Sequence, residues 1–265
     1  MSISLIIPTY NSMRTFRRCL ETVRRQSSEC REIIVVDRFS HDGLASFARA
    51  NGATVIQSEA NRSRARNIGL QNASSEGVLF IDADMILPPT LVEECESGLE
   101  RYDALIIPEE SVGEGFWAEC KAMERKNYVG DEIMEAARCF RRRVLTPLEG
   151  YTNILESGED WDLHNRAVAS GLSIGRVFST ILHDEGMLSL WSLIRKKYSY
   201  GKSFELYLQS NRDKGFKQID PIRRIVKPSL KVFLSSPKHG AGIMIMKSLE
   251  FAAAGLGHTL GTLNS

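Results

Sequence analysis

The sequence lacks the features of a disulfide-stabilised, zinc-binding or membrane-spanning protein. It has five cysteines, an odd number, and no Cys-x-x-Cys pair, so neither a disulfide framework nor a zinc site is expected. The apolar start at residues 1–7 is too short for a signal peptide. The apolar stretch 241–263 contains Lys247, Glu250 and His258, which makes it a poor transmembrane span. These absences predict a cytoplasmic protein.

Acidic residues are scarce in the C-terminal part of the chain, although the net charge of the whole chain is only +1. Residues 195–247 contain thirteen Lys or Arg and three acids, a net charge of +10, so the remainder carries −9. A basic C-terminal region beside an acidic body predicts two surfaces with different partners, and the partner of the basic region should be anionic.

The remaining composition is that of a folded protein without internal repeats or low-complexity tracts. With 265 residues, 43% of them hydrophobic, the chain can bury a full core as one large domain or as one domain with an appendage. We favour the second arrangement, because the sequence from Leu188 onward has helical patterns broken by Pro221, Pro228 and Pro237.

Short apolar runs alternate with helical patterns over the first part of the chain. The predicted strands are 3–7, 33–36, 54–56, 78–81, 104–108 and 176–182, and the predicted helices are 13–23, 44–48, 91–99, 116–128 and one that runs to about Ala169. This alternation is typical of right-handed crossovers and a mainly parallel sheet, in which ligands bind beyond the carboxyl ends of the strands.

Two aspartates follow the fourth apolar run, at positions 82 and 84. On a strand, residues two apart share a face, so Asp82 and Asp84 can offer oxygens to one hard cation such as Mg²⁺ or Mn²⁺. Such a cation can hold a diphosphate and neutralise the charge of a leaving group. The alternative is a solvated acidic strand end.

Five motifs in order resemble those of the family 2 glycosyltransferases of GT-A fold, over about residues 3–185. They are Ser4-Leu5-Ile6-Ile7-Pro8-Thr9-Tyr10-Asn11, Ile34-Val35-Val36-Asp37, Ala65-Arg66-Asn67-Ile68-Gly69, Asp82-Ala83-Asp84 and Gly158-Glu159-Asp160-Trp161-Asp162-Leu163. The resemblance implies an α/β GT-A-type fold with a mainly parallel sheet and flanking helices, to which the C-terminal helices form an appendage. We therefore predict a catalytic domain at 1–186, with a nucleotide-sugar half at 1–103 and an acceptor half at 104–186, followed by a basic amphipathic helical region at 187–265.

The resemblance also implies roles for individual residues. The donor nucleotide-sugar is expected to contact Pro8, Tyr10, Asn11, Asp37, Arg66, Asp82 and Ala83. The metal, Mn²⁺ or Mg²⁺, is expected at Asp82, Asp84 and His183, and Asp160 is expected to deprotonate a hydroxyl acceptor during inverting transfer. Arg38 and Phe39 depart from the family pattern after Asp37, which leaves the identity of the base open. UDP is the preferred nucleotide, with GDP or dTDP as the alternatives.

Several of these residues have ordinary structural explanations as well. Asp42 can cap a helix, and Arg64 can belong to a solvated basic face. Asp160 and its acidic neighbours can stabilise the start of the helix that runs to Ala169. His183 can be a partly buried histidine at a strand end that is hydrogen-bonded to backbone.

The basic C-terminal helices interleave cations with aromatic and apolar residues, as in helices that lie on an anionic membrane surface. Peripheral contact with the inner face of the cell membrane and a lipid-linked acceptor follow as hypotheses. A dimer interface and solvated faces are the alternatives, and nucleic-acid binding is not expected.

Two other functions compete with glycosyl transfer. Nucleotidyl transfer also uses metal-binding carboxylates, but it favours a Gly-rich phosphate loop with a basic residue near the N-terminus, where this chain has Pro8-Thr9-Tyr10-Asn11. The other alternative is a non-catalytic nucleotide-sugar binding module.

Overall fold

The computed structural model describes residues 1–263, and the chain forms two compact units. The first unit comprises Met1–Pro108, Ala136–Ile154 and Glu159–His183, and the second comprises Glu109–Glu135, Leu155–Gly158 and the residues from Asp184 onward. This division differs from the boundary that we predicted at residue 186, because two earlier segments group with the C-terminal helices.

The described residues form ten strands and eleven α-helices. The strands are β1 (Ile3–Thr9), β2 (Glu32–Asp37), β3 (Thr54–Gln57), β4 (Gly77–Phe80), β5 (Met85–Ile86), β6 (Ala104–Ile106), β7 (Glu109–Glu114), β8 (Ala137–Arg141), β9 (Ile174–Arg176) and β10 (Ile181–Met187). The helices are α1 (Met13–Arg24), α2 (Leu44–Ala50), α3 (Arg62–Asn72), α4 (Leu91–Leu99), α5 (Phe116–Lys126), α6 (Arg142–Leu145), α7 (Glu159–Ala169), α8 (Leu190–Ser210), α9 (Arg212–Gln218), α10 (Lys227–Ser235) and α11 (Pro237–Leu263). A π-helical segment, Ile222–Val226, precedes α10.

The first unit is built on a seven-stranded sheet in the order β3-β2-β1-β4-β8-β6-β9. All neighbours are parallel except β8, which runs antiparallel to both β4 and β6. The expected α/β fold with a mainly parallel sheet is therefore confirmed. Apolar residues of β1, such as Leu5 and Ile6, are fully buried, as expected for strands covered on both faces.

One predicted strand is wrong. The apolar run 176–182 is divided between the end of β9 and the start of β10. Between them, the backbone N–H groups of Phe178 and Ser179 both donate to Oε2 of Glu94 at 2.9 Å, so a side chain takes the bonds that a neighbouring strand would otherwise accept. Phe178 points into solvent as a result.

The second unit contains β7, α5 and the helices α8 to α11. Its small apolar core consists of Cys120, Leu193, Val232, Ile243 and Met246. Helices α8 and α11 approach closely at Gly201, where an added Cβ would overlap the carbonyl oxygen of Ala254. Within residues 1–263, no helix has the length and hydropathy needed to cross a membrane.

Candidate active site

Asp82 and Asp84 lie in a turn and not on a strand. β4 ends at Phe80, and the backbone N–H of Met85 donates to the carbonyl oxygen of Asp82 at 3.1 Å. Asp82 and Asp84 therefore do not share one strand face as we expected, because neither residue belongs to a strand. Each carboxylate contacts a different set of partners, which gives the two aspartates different environments.

Arg66 on α3 joins three carboxylates at the carboxyl edge of the sheet. Its side chain is completely buried, and its Nη2 donates to Asp82 Oδ1 at 2.7 Å while its Nη1 donates to Asp160 Oδ1 at 2.8 Å. The same Nη1 lies 3.3 Å from Glu159 Oε1. The arginine and two acidic motifs, far apart in sequence, thus form one cluster.

Two residues that we did not predict complete this cluster. Nη2 of Arg138 lies 3.4 Å from Asp160 Oδ2 and 3.6 Å from Asp82 Oδ2, and the Tyr151 hydroxyl donates to Asp160 Oδ1 at 3.2 Å. Because β8 is antiparallel to β4, the start of β8 lies beside the end of β4. Arg138 stands out in the sequence as a cation within the buried strand Ala-Arg-Cys-Phe-Arg, whereas nothing marks Tyr151.

The contacts of Asp160 go beyond those of a helix cap. Although it lies in the first turn of α7, its carboxylate oxygens contact side chains from α3, β8 and the segment around Tyr151. These contacts hold the carboxylate in a single orientation. Its side chain keeps 22% exposure, so Asp160 combines a fixed position with access for a small polar group.

The asparagine and glycine of the Ala-Arg-Asn-x-Gly motif position the arginine and Tyr151. Asn67 Nδ2 donates to the carbonyl oxygen of Tyr151 at 2.7 Å, and Asn67 Oδ1 accepts from the Tyr151 N–H at 2.8 Å. Gly69 allows α3 to lie directly on β1, since a Cβ there would overlap Cγ2 of Ile6. The motif therefore holds Arg66 and Tyr151 beside the carboxylates of the cluster.

Burial and the arginines set the protonation of the cluster. Burial raises the pKa of Asp82, but Arg66 and Arg138 outweigh it and hold that pKa well below its usual range. Burial and the neighbouring Asp160 raise the pKa of Glu159, against the opposing effect of Arg66 and Arg62. Burial lowers the pKa of Arg66, but Asp160 and Asp82 outweigh it and raise the pKa above its usual value.

Asp84 and His183 form a separate pair. His183 Nε2 lies 3.0 Å from Asp84 Oδ2, because β5 and β10 are antiparallel and pair Met85 with His183. We expected both residues in one metal site, and they lie together in the structure. The Asp84 side chain is 38% exposed, so a solvated cation can reach it.

The side chains fit a divalent cation in part. A carboxylate and an imidazole are suitable ligands for Mn²⁺, and Asp84 and His183 supply them. Asp82 fits less well, since both of its oxygens face arginines. No group of three or more His, Cys, Asp and Glu residues with metal-binding geometry occurs among residues 1–263, so a cation at this pair needs further oxygen ligands from a substrate or water.

The predicted nucleotide-binding residues lie at the ends of β1 and β2. Asp37 is fully buried, and its carboxylate accepts from Thr9 Oγ1 at 3.0 Å and from the Ser40 N–H at 3.0 Å. Asn11 accepts from the His41 N–H at 2.9 Å, while the Tyr10 ring is exposed under the Arg38 guanidinium. Base contacts by Pro8, Tyr10, Asn11 and Asp37 stay predictions.

Comparison with known proteins shows the family. A model of glycosyl transferase family 2 matches residues 4–143, more than half of the chain. The chain belongs to glycosyl transferase family 2. This family 2 chain is 34% identical to the glycosyltransferase AglE of Haloferax volcanii over 223 residues, which cover 76% of this chain and 72% of AglE. The chain spans three-fifths or less of the length of several other curated glycosyltransferases that it matches.

Solved structures of two transferases share the fold of this family 2 chain. The mannosyltransferase PcManGT from Pyrobaculum calidifontis, in complex with GDP-Man and Mn²⁺, has a TM-score of 0.65 at 16% identity and covers 97% of this chain, which in turn covers 86% of PcManGT. S. aureus TarS 1–349, in complex with UDP-GlcNAc, has a TM-score of 0.56 at 16% identity over 100% of this chain and 93% of the TarS chain. At these identities the likeness shows the GT-A fold alone.

Proposed function

We propose that this protein is a metal-dependent inverting glycosyltransferase that moves a sugar from a nucleotide-diphosphate sugar to a hydroxyl acceptor. The observation that supports this most directly is the arginine-bridged contact of Asp82 with Asp160, since it combines the donor-side motif and the acceptor-side motif in one cluster. Family membership supports the reaction class.

Asp160 is the general base of this proposal. A hydroxyl acceptor must lose a proton as it attacks the anomeric carbon, and a fixed, partly exposed carboxylate can take that proton. Arg66, Arg138 and Tyr151 hold Asp160 in position. Attack from the face opposite the leaving diphosphate inverts the configuration in a single displacement, so no covalent intermediate is needed.

Asp84 and His183 are the protein ligands for the metal in this proposal, and diphosphate oxygens supply further ligands. A bound divalent cation would neutralise the charge on the leaving diphosphate. Asp82, held by Arg66 and Arg138, is assigned to donor positioning instead.

UDP is the proposed donor nucleotide, with GDP and dTDP as the alternatives that a binding screen separates. Among the structural neighbours, one binds UDP-GlcNAc and another binds GDP-Man, so the fold accommodates both bases. The proposed acceptor is a hydroxyl of a glycan that is linked to a lipid at a membrane surface, because the C-terminal helices carry a strong excess of positive charge.

The test combines binding and product analysis. UDP-, GDP- and dTDP-sugars are screened by thermal shift with and without Mn²⁺, on wild type and on Asp160→Asn. We expect one nucleotide to raise the melting temperature of both proteins in the presence of Mn²⁺, and only wild type to release nucleoside diphosphate from the donor.

Three other outcomes would contradict part or all of this proposal. Release of sugar 1-phosphate in place of nucleoside diphosphate would indicate nucleotidyl transfer, because the nucleoside monophosphate part of the donor is then the group transferred. Donor binding without turnover by wild type, across a panel of hydroxyl acceptors, would indicate a binding module. Equal turnover by wild type and Asp160→Asn would remove Asp160 from the role of base.

A further inference from the structure

The longest helix of the second unit carries no charge on its solvent-exposed face after Lys238. From residue 241 onward, the exposed positions of α11 are Ala241, Met244, Ile245, Ser248, Leu249, Ala252, Gly255, Leu256, Thr259 and Leu260. They recur at helical spacing, so they form one stripe. A helix that faces water normally presents charged residues on that side, and this stripe presents mainly apolar ones.

The charges of α11 after Lys238 face inward instead. Lys247 and Glu250 are buried, and Lys247 Nζ lies 2.7 Å from Glu250 Oε2 and 3.2 Å from Oε1 of the buried Glu124 on α5. Lys121 contacts Glu124 at 2.8 Å. The helix therefore has ion pairs inside the unit and a mainly apolar exposed stripe, which is the reverse of the pattern of an ordinary surface helix.

Helix α10 extends the exposed apolar surface. Leu230 is 55%, Phe233 48% and Leu234 89% exposed. Helix α10 packs against α11, where Gly240 lies against the backbone of Phe233. Exposed apolar patches of this extent mark interaction sites in folded proteins. We call the exposed apolar residues of α10 and α11 together the apolar face.

A basic cavity lies at the start of α10. It has a volume of about 250 Å³ and is lined by Asn127, Tyr128, Asp131, Arg223, Lys227, Pro228 and Lys231. Asp131 forms an ion pair with Arg223 at 2.8 Å, whereas Lys227 and Lys231 have no ion-pair partner among the residues that the structure describes. From residue 221 to residue 263 the chain has six Lys or Arg and a single acid, the buried Glu250.

We propose that the apolar face is a docking surface for an anionic lipid bilayer, with Lys227 and Lys231 beside lipid phosphates. Apolar side chains that enter the boundary between headgroups and acyl chains, flanked by cations, are the known requirements for a helix that lies on a membrane. The surface belongs to the second unit alone and goes beyond the proposed glycosyl transfer, although it would bring the protein to a lipid-linked acceptor.

A second copy of the chain is a poorer occupant than a bilayer. The apolar face of a second copy carries no acid that could pair with Lys227, Lys231 and Lys238, because the single acid of residues 221–263, Glu250, is buried. An interface between two such faces would leave these cations without opposite charge. Lipid phosphates instead supply the opposite charge, so charge complementarity selects the membrane.

The test is flotation of the purified protein with vesicles of phosphatidylcholine, alone or mixed with phosphatidylglycerol. Wild type should float with the anionic vesicles. Leu230→Ser/Leu234→Ser should lower partitioning by about tenfold or more, since two exposed leucines that would enter the bilayer are lost. Lys227→Gln/Lys231→Gln should remove the preference for anionic vesicles, and high salt should weaken wild-type binding.

The controls match the variants in chemistry. Phe178→Ser removes an apolar side chain of the first unit that is 98% exposed, and Arg49→Gln/Arg101→Gln removes two exposed cations of that unit. Both controls should float as wild type does, and circular dichroism should show every variant folded. Inorganic phosphate at matched ionic strength should not displace the protein, because the apolar contact is lost only with the bilayer.

Three results would overturn the proposal. The first is a wild-type protein that floats with neither type of vesicle, and the second is a Leu230→Ser/Leu234→Ser variant that floats like wild type. The third is a wild-type dimer in light scattering that becomes monomeric in the leucine variant with vesicle binding unchanged, which would assign the apolar face to a second copy. Neither readout depends on glycosyl transfer, so failure of the docking surface is distinguishable from failure of the proposed function.

Discussion

Arg66 donates a 2.8 Å hydrogen bond to Asp160 although 94 residues separate them along the chain. The same guanidinium reaches Asp82 with its other terminal nitrogen. An arginine suits this role because its planar fork offers several donors in fixed directions. The position of the proposed base therefore depends on a residue of α3 that is completely buried.

The first prediction concerns this arginine. Replacement by lysine at this completely buried position should destabilise the fold by about 3–5 kcal/mol, because one ammonium group cannot satisfy three carboxylates. Arg64→Lys serves as the control, since Arg64 is exposed two residues earlier on α3. Urea denaturation measures both. An Arg66→Lys variant as stable as wild type would show that the cluster does not depend on the guanidinium fork.

The second prediction concerns the Asp84 and His183 pair. Asp84→Asn and His183→Gln should each weaken Mn²⁺ binding by about tenfold or more, since each removes one of two protein ligands. Isothermal titration of Mn²⁺ in the presence of the donor nucleotide provides the measurement. Glu100→Gln, at an exposed position of the same unit, should bind Mn²⁺ as wild type does. Unchanged affinity in both ligand variants would exclude this pair as the metal site.

The third prediction concerns stability in acid. Burial raises the pKa of Glu250, but Lys247, Lys121 and Lys197 outweigh it and lower the pKa from 4.5 to about 2. A carboxyl with a lowered pKa stabilises the folded state above its unfolded pKa, and this contribution is lost as the pH falls through the folded value. Between pH 4.5 and about 2, wild type should therefore lose stability of about 3 kcal/mol from this group.

Urea denaturation from neutral pH down to about 2 tests this loss. Glu250→Gln should be less stable at neutral pH and should show a shallower fall in acid, because the titrating group is absent. Glu205→Gln is the control, since its partly exposed side chain faces His258 at 3.6 Å outside the buried cluster. A Glu250→Gln curve parallel to that of wild type would mean that other groups cause the acid loss.

The fourth prediction compares two glycines in helices. Gly69→Ala should destabilise the protein by about 1–3 kcal/mol, because the new Cβ would overlap Ile6 in a packed core. Gly255→Ala adds the same methyl group where no atom lies within 4 Å, and it should be neutral or stabilising by about 0.5–1 kcal/mol through helix propensity. Thermal unfolding of both variants measures the difference. Equal effects would mean that α3 can move away from β1.

Local sequence patterns were sufficient for most of the regular structure. The apolar runs at 33–36 and 54–56 correspond to β2 and β3, and the helical spacing of Phe16, Leu20 and Val23 corresponds to the buried face of α1. The strand expected at 176–182 failed, because Glu94 on α4 takes its backbone donors. A distant side chain that competes for backbone hydrogen bonds leaves no local signal.

The sequence by itself determined the family, the mainly parallel sheet and the identity of the acidic motifs, since these depend on short-range periodicity and on residue types at fixed spacing. It paired Asp84 with His183 only through the resemblance. Tertiary structure alone decided that Asp82 faces Arg66 and Arg138, that Asn67 fixes Tyr151, and that α11 buries Lys247 and Glu250. These relationships depend on which elements pack together, because a side chain takes the partners that packing brings within reach, however far apart in sequence they lie.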